Sequence, residues 1–312
     1  MGEVRVEERG RVLLATLDNP PHGLMDSGTV AGLEAVVARA EAEPGVGGVV
    51  LTGAHPERFV AHYDVGELLA AARAAPSVGP RAAHASLRAV GALRRVPRVE
   101  DALGRTPAAG LVLLERFHAT LLRMNRCGAV FVAAINGSAM GGGSELALAC
   151  DVRLMADGDH LIGQPEILFA FPPGGGGTQR LARLLGTARA LRIVLEGGPL
   201  SPAQAAALGY VDEVIAPGEL VDRAVALAER LGSREKAAIG ACKRAVYDGG
   251  SLPLADGLRL ERAEFLAGLG SPEAQTAMTA YLEALERTGE LPGYDRAALE
   301  RAVESGAFRP GA

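Results

Sequence analysis

The chain has 312 residues, 48% of them apolar and 22% charged, with a formal net charge of -5. That length can bury a large core, as one domain or a main domain with an appendage, and the mild acidity provides no basic face for nucleic acid. Three cysteines (Cys127, Cys150 and Cys242) without close pairing exclude a disulfide framework and a zinc knuckle, and the absence of a signal-type start or a bilayer-length apolar run points to a cytoplasmic protein with no membrane partner.

In chain order, Arg11–Leu17 reads as a strand closed by the turn Asp18-Asn19-Pro20-Pro21. Gly28–Ala42 places Val30, Leu33, Val36, Val37 and Ala40 at helical spacing, and Val46–Leu51 is a buried strand. After Glu57-Arg58-Phe59-Val60-Ala61-His62-Tyr63-Asp64-Val65 the pattern turns helical over Glu67–Ala75, again over 81–96 with His84, Leu87, Val90 and Leu93 along it, and over Leu111–Met124. Residues 97–107 between them are polar and broken by Pro and Gly. Arg73, Arg81, Arg88, Arg94, Arg95, Arg98 and Arg105 make this the most basic part of the chain, and a solvated helical excursion is the first reading of it.

The stretch from Ala129 to Leu181 organises the rest. An apolar run, Ala129–Ile135, breaks at Asn136-Gly137; Gly141, Gly142 and Gly143 then precede the helix formers Ser144–Cys150. Glycines ahead of a helix leave backbone N–H groups uncovered at the positive end of its dipole, which suits an anion. Glu145 stands in that turn, Glu166 follows in Gly163-Gln164-Pro165-Glu166, and a second glycine run covers Gly174–Gly177. Uncovered N–H donors flanked by two carboxylates suit a reaction that forms an oxyanion while moving protons on neighbouring carbons.

Downstream, Ser201-Pro202-Ala203-Gln204 is a capping box opening a helix that ends near Gly209, and Tyr210–Ile215 reads as a strand. Helical patterns follow over Val221–Leu231, Glu235–Tyr247, Leu254–Leu269, Pro272–Arg287 and Arg296–Ser305. Asn136-Gly137-Ser138 matches a glycosylation sequon only by chance. Gly174–Gly177 lacks the Gly-Lys-Ser/Thr ending of a nucleotide loop, the histidines show no paired metal spacing, and Ser144 lacks the final glycine of a nucleophile elbow.

Ala133-Ala134-Ile135-Asn136-Gly137, Gly141–Leu146, Cys150-Asp151-Val152-Arg153, Gly163–Glu166 and Pro173–Leu181 together resemble the signature of the crotonase (enoyl-CoA hydratase/isomerase) superfamily. The resemblance implies an α/β fold, a spiral of ββα units, with a helical C-terminal region. Residues 1–232 would be the core, interrupted by a helical insertion at about 72–115, and 233–312 a helical oligomerisation region, in a homotrimer or dimer of trimers. With 80 residues between Asp64 and Glu145, the insertion exceeds the pattern by roughly 35; its arginines would then face coenzyme A phosphates or form a lid, if they are not simply solvated.

The resemblance further implies an enoyl-CoA hydratase that needs no metal or separate cofactor, coenzyme A being part of the substrate. Glu145 would take a proton from water and Glu166 deliver one to C2. Backbone N–H groups of Tyr63 and Gly142 would form the oxyanion hole, and Gly174, at the start of the helix carrying Thr178, would position the water. Ala61, His62, Gly141 and Phe171 would touch the substrate, with Met25, Leu146, Leu168 and Phe169 as further acyl neighbours. His62 and Tyr63 replace the usual glycine and small residue, and Ala170 also stands where glycine is usual. The alternatives are another acyl-CoA enzyme of the same fold (isomerase, decarboxylase or thioester hydrolase) or a non-catalytic acyl-CoA-binding member.

Overall fold

The computed structural model describes residues 1–93 and 99–309. Its strands are β1 (Glu3–Arg9), β2 (Val12–Asp18), β3 (Gly48–Gly53), β4 (Arg58–Val60), β5 (Val130–Ile135), β6 (Ser138–Met140), β7 (Val152–Ala156), β8 (Ile162–Gly163) and β9 (Glu213–Ile215). One sheet has the order β1-β2-β3-β5-β7-β9, antiparallel at β1–β2 and parallel elsewhere; β4, β6 and β8 form a second, parallel sheet. Each of β3–β4, β5–β6 and β7–β8 therefore sends one strand to the large sheet and the next to the small one. This is the α/β spiral of ββα units that the motifs implied.

The alternation of side chains along the strands divides the core in two. On β5, Phe131, Ala133 and Ile135 face the small sheet and α1 (Ser27–Ala42). Val130, Val132 and Ala134 face the opposite way, with Leu220, Ala224, Leu227 and Ala228 of a later helix. A parallel sheet covered on both faces explains why these strands read as nearly continuous apolar runs.

The next helices are α2 (Val65–Ala74), α3 (Pro80–Leu93), α4 (Val99–Leu103) and α5 (Ala109–Met124); α2 begins before and α5 ends after the predicted insertion of about 72–115, and α4 forms within the stretch 97–107 read as broken. They are not uniformly solvated. No residue of α2 is buried, but α5 sends Phe117, Leu121 and Met124 into the main core. The predicted end of the second helix at 94–96, with Arg94, Arg95 and Arg98, lies outside the described residues. Beyond come α6 (Gly142–Ala149), α7 (Gly177–Leu185), α8 (Thr187–Glu196), α9 (Pro202–Leu208) and α10 (Leu220–Gly232). Then follow α11 (Lys236–Tyr247), α12 (Leu254–Leu269), α13 (Pro272–Thr288) and α14 (Arg296–Ser305).

Several boundaries have local causes. Asp26 caps α1 in a capping box with Thr29, so the helix starts at Ser27. Ser201 caps α9 as predicted, and Gly209 ends it in the left-handed region at φ 78°. The predicted strand 210–215 shortens to Glu213–Ile215, because Tyr210 is drawn wholly into the core. β1 was not read from the sequence: its residues are mostly charged and exposed, and only pairing with β2 makes it a strand.

Part of the motif set is structural. Asp151 accepts from the Phe131 N–H at 2.8 Å, Lys243 Nζ at 2.6 Å and the Tyr247 hydroxyl at 3.0 Å, tying α11 to the base of β5. Arg153 donates to the carbonyls of Cys150 and Tyr210 and to Asp212. Asn136 bridges β3 to the loop before β4, accepting from the Gly53 N–H and donating to the His55 carbonyl. Its amide is therefore committed within the fold.

Candidate active site

The glycine run opens α6 as the sequence suggested. Gly141 has φ 49° and ψ -120°, and a Cβ there would lie 2.8 Å from Glu166 Oε1, so glycine is required for both conformation and space. As the first residue of α6, Gly142 has an N–H with no intrahelical acceptor. A Cβ on Gly142 would sit 3.4 Å from the Tyr63 backbone N, so residues 142 and 63 are neighbours.

His62 and Tyr63 hold this place without glycine. Among the described residues Ala170 is the non-glycine residue with positive φ, so neither His62 nor Tyr63 needs a left-handed backbone. Met25 donates to the His62 carbonyl at 2.8 Å and accepts from the Asp64 N–H at 2.7 Å. These bonds flank Tyr63, whose own N–H donates to no group among the described residues. His62 Nδ1–H donates to the Tyr63 carbonyl at 2.7 Å, and the Tyr63 hydroxyl donates to Glu67 at 2.8 Å, which also accepts from Ser27. Side-chain hydrogen bonds thus fix the segment that glycine freedom would otherwise leave loose.

Glu145 sits in the first turn of α6 and is 3% exposed. Its Oε1 accepts from the N–H groups of Gly175 at 2.7 Å and Gly177 at 2.8 Å. Burial pushes its carboxyl above the ordinary value, while these two donors and the charges of His118 and Arg180 pull it back. Glu166 opens a 3-10 turn, Glu166–Phe169, and is 8% exposed. Burial raises it to about 7; its own backbone N–H opposes the shift and the charge of Glu145 adds to it. Neither carboxylate is a solvated surface group.

Three further residues reach this region that no spacing rule singled out. With its amide oriented to satisfy its neighbours, Gln164 donates to both Glu166 oxygens at 3.3 Å and accepts from Ser144 Oγ at 3.1 Å. Ser144 Oγ in turn lies 2.6 Å from the Tyr210 hydroxyl. Gln164 was inside a motif, but nothing in the sequence joins Tyr210 to Glu166.

The other predicted residues distribute unevenly. Ala61 and His62 line a cavity of about 420 Å³ together with His22, Leu24, Arg58 and Met140. Met25 and Leu146 are buried in the core, Met25 with its methyl 3.0 Å from the Cβ position of Gly142. The ring of Phe171 is 44% exposed and stacks on Phe169, centroids 5.9 Å apart. Leu168 and Phe169 are exposed as well. Gly174 is not at a helix start, since α7 begins at Gly177 behind the Gly176 cap, where φ is 112°. It lies in the loop, and its carbonyl accepts from His118 Nε2 at 2.7 Å.

Comparison with known proteins fits this arrangement. A family model described as enoyl-CoA hydratase/isomerase matches residues 98–288. The chain belongs to the enoyl-CoA hydratase/isomerase family. A family member from Dictyostelium discoideum, named "Probable enoyl-CoA hydratase, mitochondrial", is 30% identical over 89% of this chain and 87% of its own length. The "Short-chain-enoyl-CoA hydratase" of Clostridium acetobutylicum is 28% identical over 91% and 95%. Among solved structures, one described as enoyl-CoA hydrates from Geobacillus kaustophilus superposes with a TM-score of 0.73 at 26% identity, covering 90% of this chain and 94% of that one.

Within the family frame, Ala170 carries a local cost. It ends the Glu166 turn at φ 64° and ψ 27°, where a Cβ is unfavourable. Ala170→Gly is expected to stabilise the fold by about 0.5–1 kcal/mol after the added freedom of the unfolded glycine is subtracted. Urea unfolding checks the sign; a destabilised variant would show that the turn carries no strain.

Proposed function

We propose that the chain is an enoyl-CoA hydratase, which adds water across the 2,3 double bond of an enoyl-CoA thioester. The observation that carries this reading is the pair of buried carboxylates, Glu145 and Glu166, beside the turn where Gly142 adjoins the Tyr63 backbone. The N–H groups of Tyr63 and Gly142 would receive the thioester oxygen as it becomes an enolate. Glu145, ionised, takes a proton from water as its oxygen bonds to C3; Glu166, protonated, delivers a proton to C2. The carbonyl re-forms and a 3-hydroxyacyl thioester leaves, with no redox change and no separate cofactor. Gly174 would place its N–H toward the water. Two carboxylates favour hydration over an isomerisation that needs only one.

The cavity beside Ala61 and His62 has the size and the cationic rim, Arg58, for the coenzyme portion of the substrate. Exposed apolar residues such as Leu254, Phe265 and Leu266 on α12 support self-association as a homotrimer or dimer of trimers. The free thiols of Cys127, Cys150 and Cys242 suit the reducing cytoplasm. Among the described residues, no helix is long and apolar enough to cross a membrane.

The direct test follows loss of enoyl absorbance with crotonyl-CoA and longer enoyl-CoAs, alongside equilibrium binding. Binding without turnover of any of them would sink the hydratase reading. The pH dependence is a second test. Because Glu166 must hold a proton and burial pushes its carboxyl up to about 7, kcat/KM should fall as pH rises through that value, and Glu166→Gln should lack this limb. The sign for stability follows from the same shift. Between the unfolded value of 4.5 and about 7 the folded chain holds a proton the unfolded chain has lost, so the carboxyl costs stability progressively across that window. Urea unfolding at pH 5 and pH 8 should therefore show Glu166→Gln gaining on the wild type as pH rises; a constant difference would contradict the raised value.

A further inference from the structure

We propose that His118 on α5 is a positioning residue that holds Glu145 in place through the Gly174–Gly175 peptide group. It deepens the reading of Glu145 as the base and rests on that reading for its kinetic consequence, though not for its geometry.

A backbone carbonyl carries no hydrogen. The 2.7 Å contact between His118 Nε2 and the Gly174 oxygen therefore has the imidazole as donor, with its proton on Nε2. The carbonyl of Gly174 and the N–H of Gly175 belong to one planar peptide unit, and that N–H donates to Glu145 Oε1 at 2.7 Å. The chain of contacts is thus Nε2–H to carbonyl, across one amide, and N–H to carboxylate. Donation to an amide oxygen draws electron density from its nitrogen, so the N–H at the far side becomes a stronger donor. The same bond restrains the peptide plane that aims this N–H. His118 thereby acts on the carboxylate without touching it.

The surroundings give the contact weight. Gly174 is exposed and precedes α7 in a loop rich in glycine, so on its carbonyl side the peptide plane is held by the His118 bond, and on its N–H side by Glu145. Phe117, next to His118 on α5, is buried, and its ring edge lies 2.7 Å from the Cβ position of Gly175. α5 therefore packs directly against this loop. The charged groups acting on Glu145 are His118 from α5, Arg180 from α7 and Glu166 from its 3-10 turn, with the Tyr210 phenol also near. Arg180 is itself anchored by Asn125, the residue capping α5, at 2.8 Å. The imidazole of His118 and the guanidinium of Arg180 are thus both set by α5. An imidazolium at 118 would donate more strongly and add positive charge, favouring the ionised form that a base requires.

The experiment uses the full chain with glutamate labelled by 13C at the side-chain carboxyl, the Glu145 signal being assigned by its loss in Glu145→Gln. Titration by NMR compares the wild type, His118→Leu and His118→Gln. The expected result is that Glu145 titrates at higher pH in His118→Leu, while His118→Gln, which keeps an N–H donor, stays closer to the wild type. Equal titration in all three, or equal displacement in both variants, would overturn the proposal. In parallel, His118→Leu should lower kcat by about tenfold, the equivalent of one lost hydrogen bond. Its acid limb should move to higher pH with KM little changed, and His118→Gln should restore most of the rate. A shifted Glu145 titration in His118→Leu, with no turnover of any enoyl thioester by the wild type, would leave the role of His118 standing and remove the hydratase reading instead.

Discussion

Replacing Glu145 or Glu166 by glutamine is expected to lower kcat for an enoyl thioester by about 10²–10⁴ in each case, with KM changed little, because the lost function is proton transfer in the transition state. The substitutions are structurally mild. A glutamine at 145 still offers an oxygen to the Gly175 and Gly177 N–H groups, and one at 166 removes a carboxyl that burial already disfavours in its charged form. Folding should therefore survive, which circular dichroism and a thermal melt would check. On the proposed mechanism the two groups act on one reaction, so the double variant should lose far less than the product of the single effects. Turnover within a few-fold of wild type in either single variant would remove that carboxylate from the mechanism.

The second large effect concerns a donor that no ordinary substitution can delete. Gly142 is the first residue of α6, the helix position where proline is best tolerated because its N–H has no helical partner. The preceding Gly141, at φ 49° and ψ -120°, is the mirror image of the extended conformation that proline demands of its neighbour, and glycine adopts either hand freely. Gly142→Pro thus removes the N–H while leaving the helix able to form. Loss of one oxyanion donor should lower kcat by about 10²–10³. Gly142→Ala is the control, since it adds a Cβ against the mobile methyl of Met25 at 3.0 Å but keeps the donor. Equal losses in Gly142→Ala and Gly142→Pro would assign the effect to crowding and dismiss the oxyanion role of this amide.

Much of the site was legible because its chemistry is carried by closely spaced residues. Gly141, Gly142 and Glu145 fall within one helical turn, and glycine ahead of a helix has few other uses at this density. Glu166 was legible through its motif. The failures are equally particular. Gly174 was read at a helix start, yet three consecutive glycines delay α7 to Gly177. β1 escaped notice because an edge strand with a charged face lacks the apolar run that marks a buried one. The excursion after Asp64 was read as solvated from its arginines, although α5 at its end is amphipathic and packs its apolar side into the core.

By itself the sequence determined the α/β class, most helix boundaries and the two carboxylates with their glycine turn, because capping residues, apolar periodicity and glycine clusters act over a few neighbouring positions. The resemblance paired Tyr63 with Gly142, and the fold makes them neighbours; only the tertiary structure decided that Tyr210 and Ser144 stand behind Glu166 and that His118 reaches Glu145 through a peptide group. Those contacts join residues 20 to 79 positions apart in the chain. Nothing in local pattern encodes such distances; they arise when parallel strands stack in register and bring successive turns of the spiral to one edge.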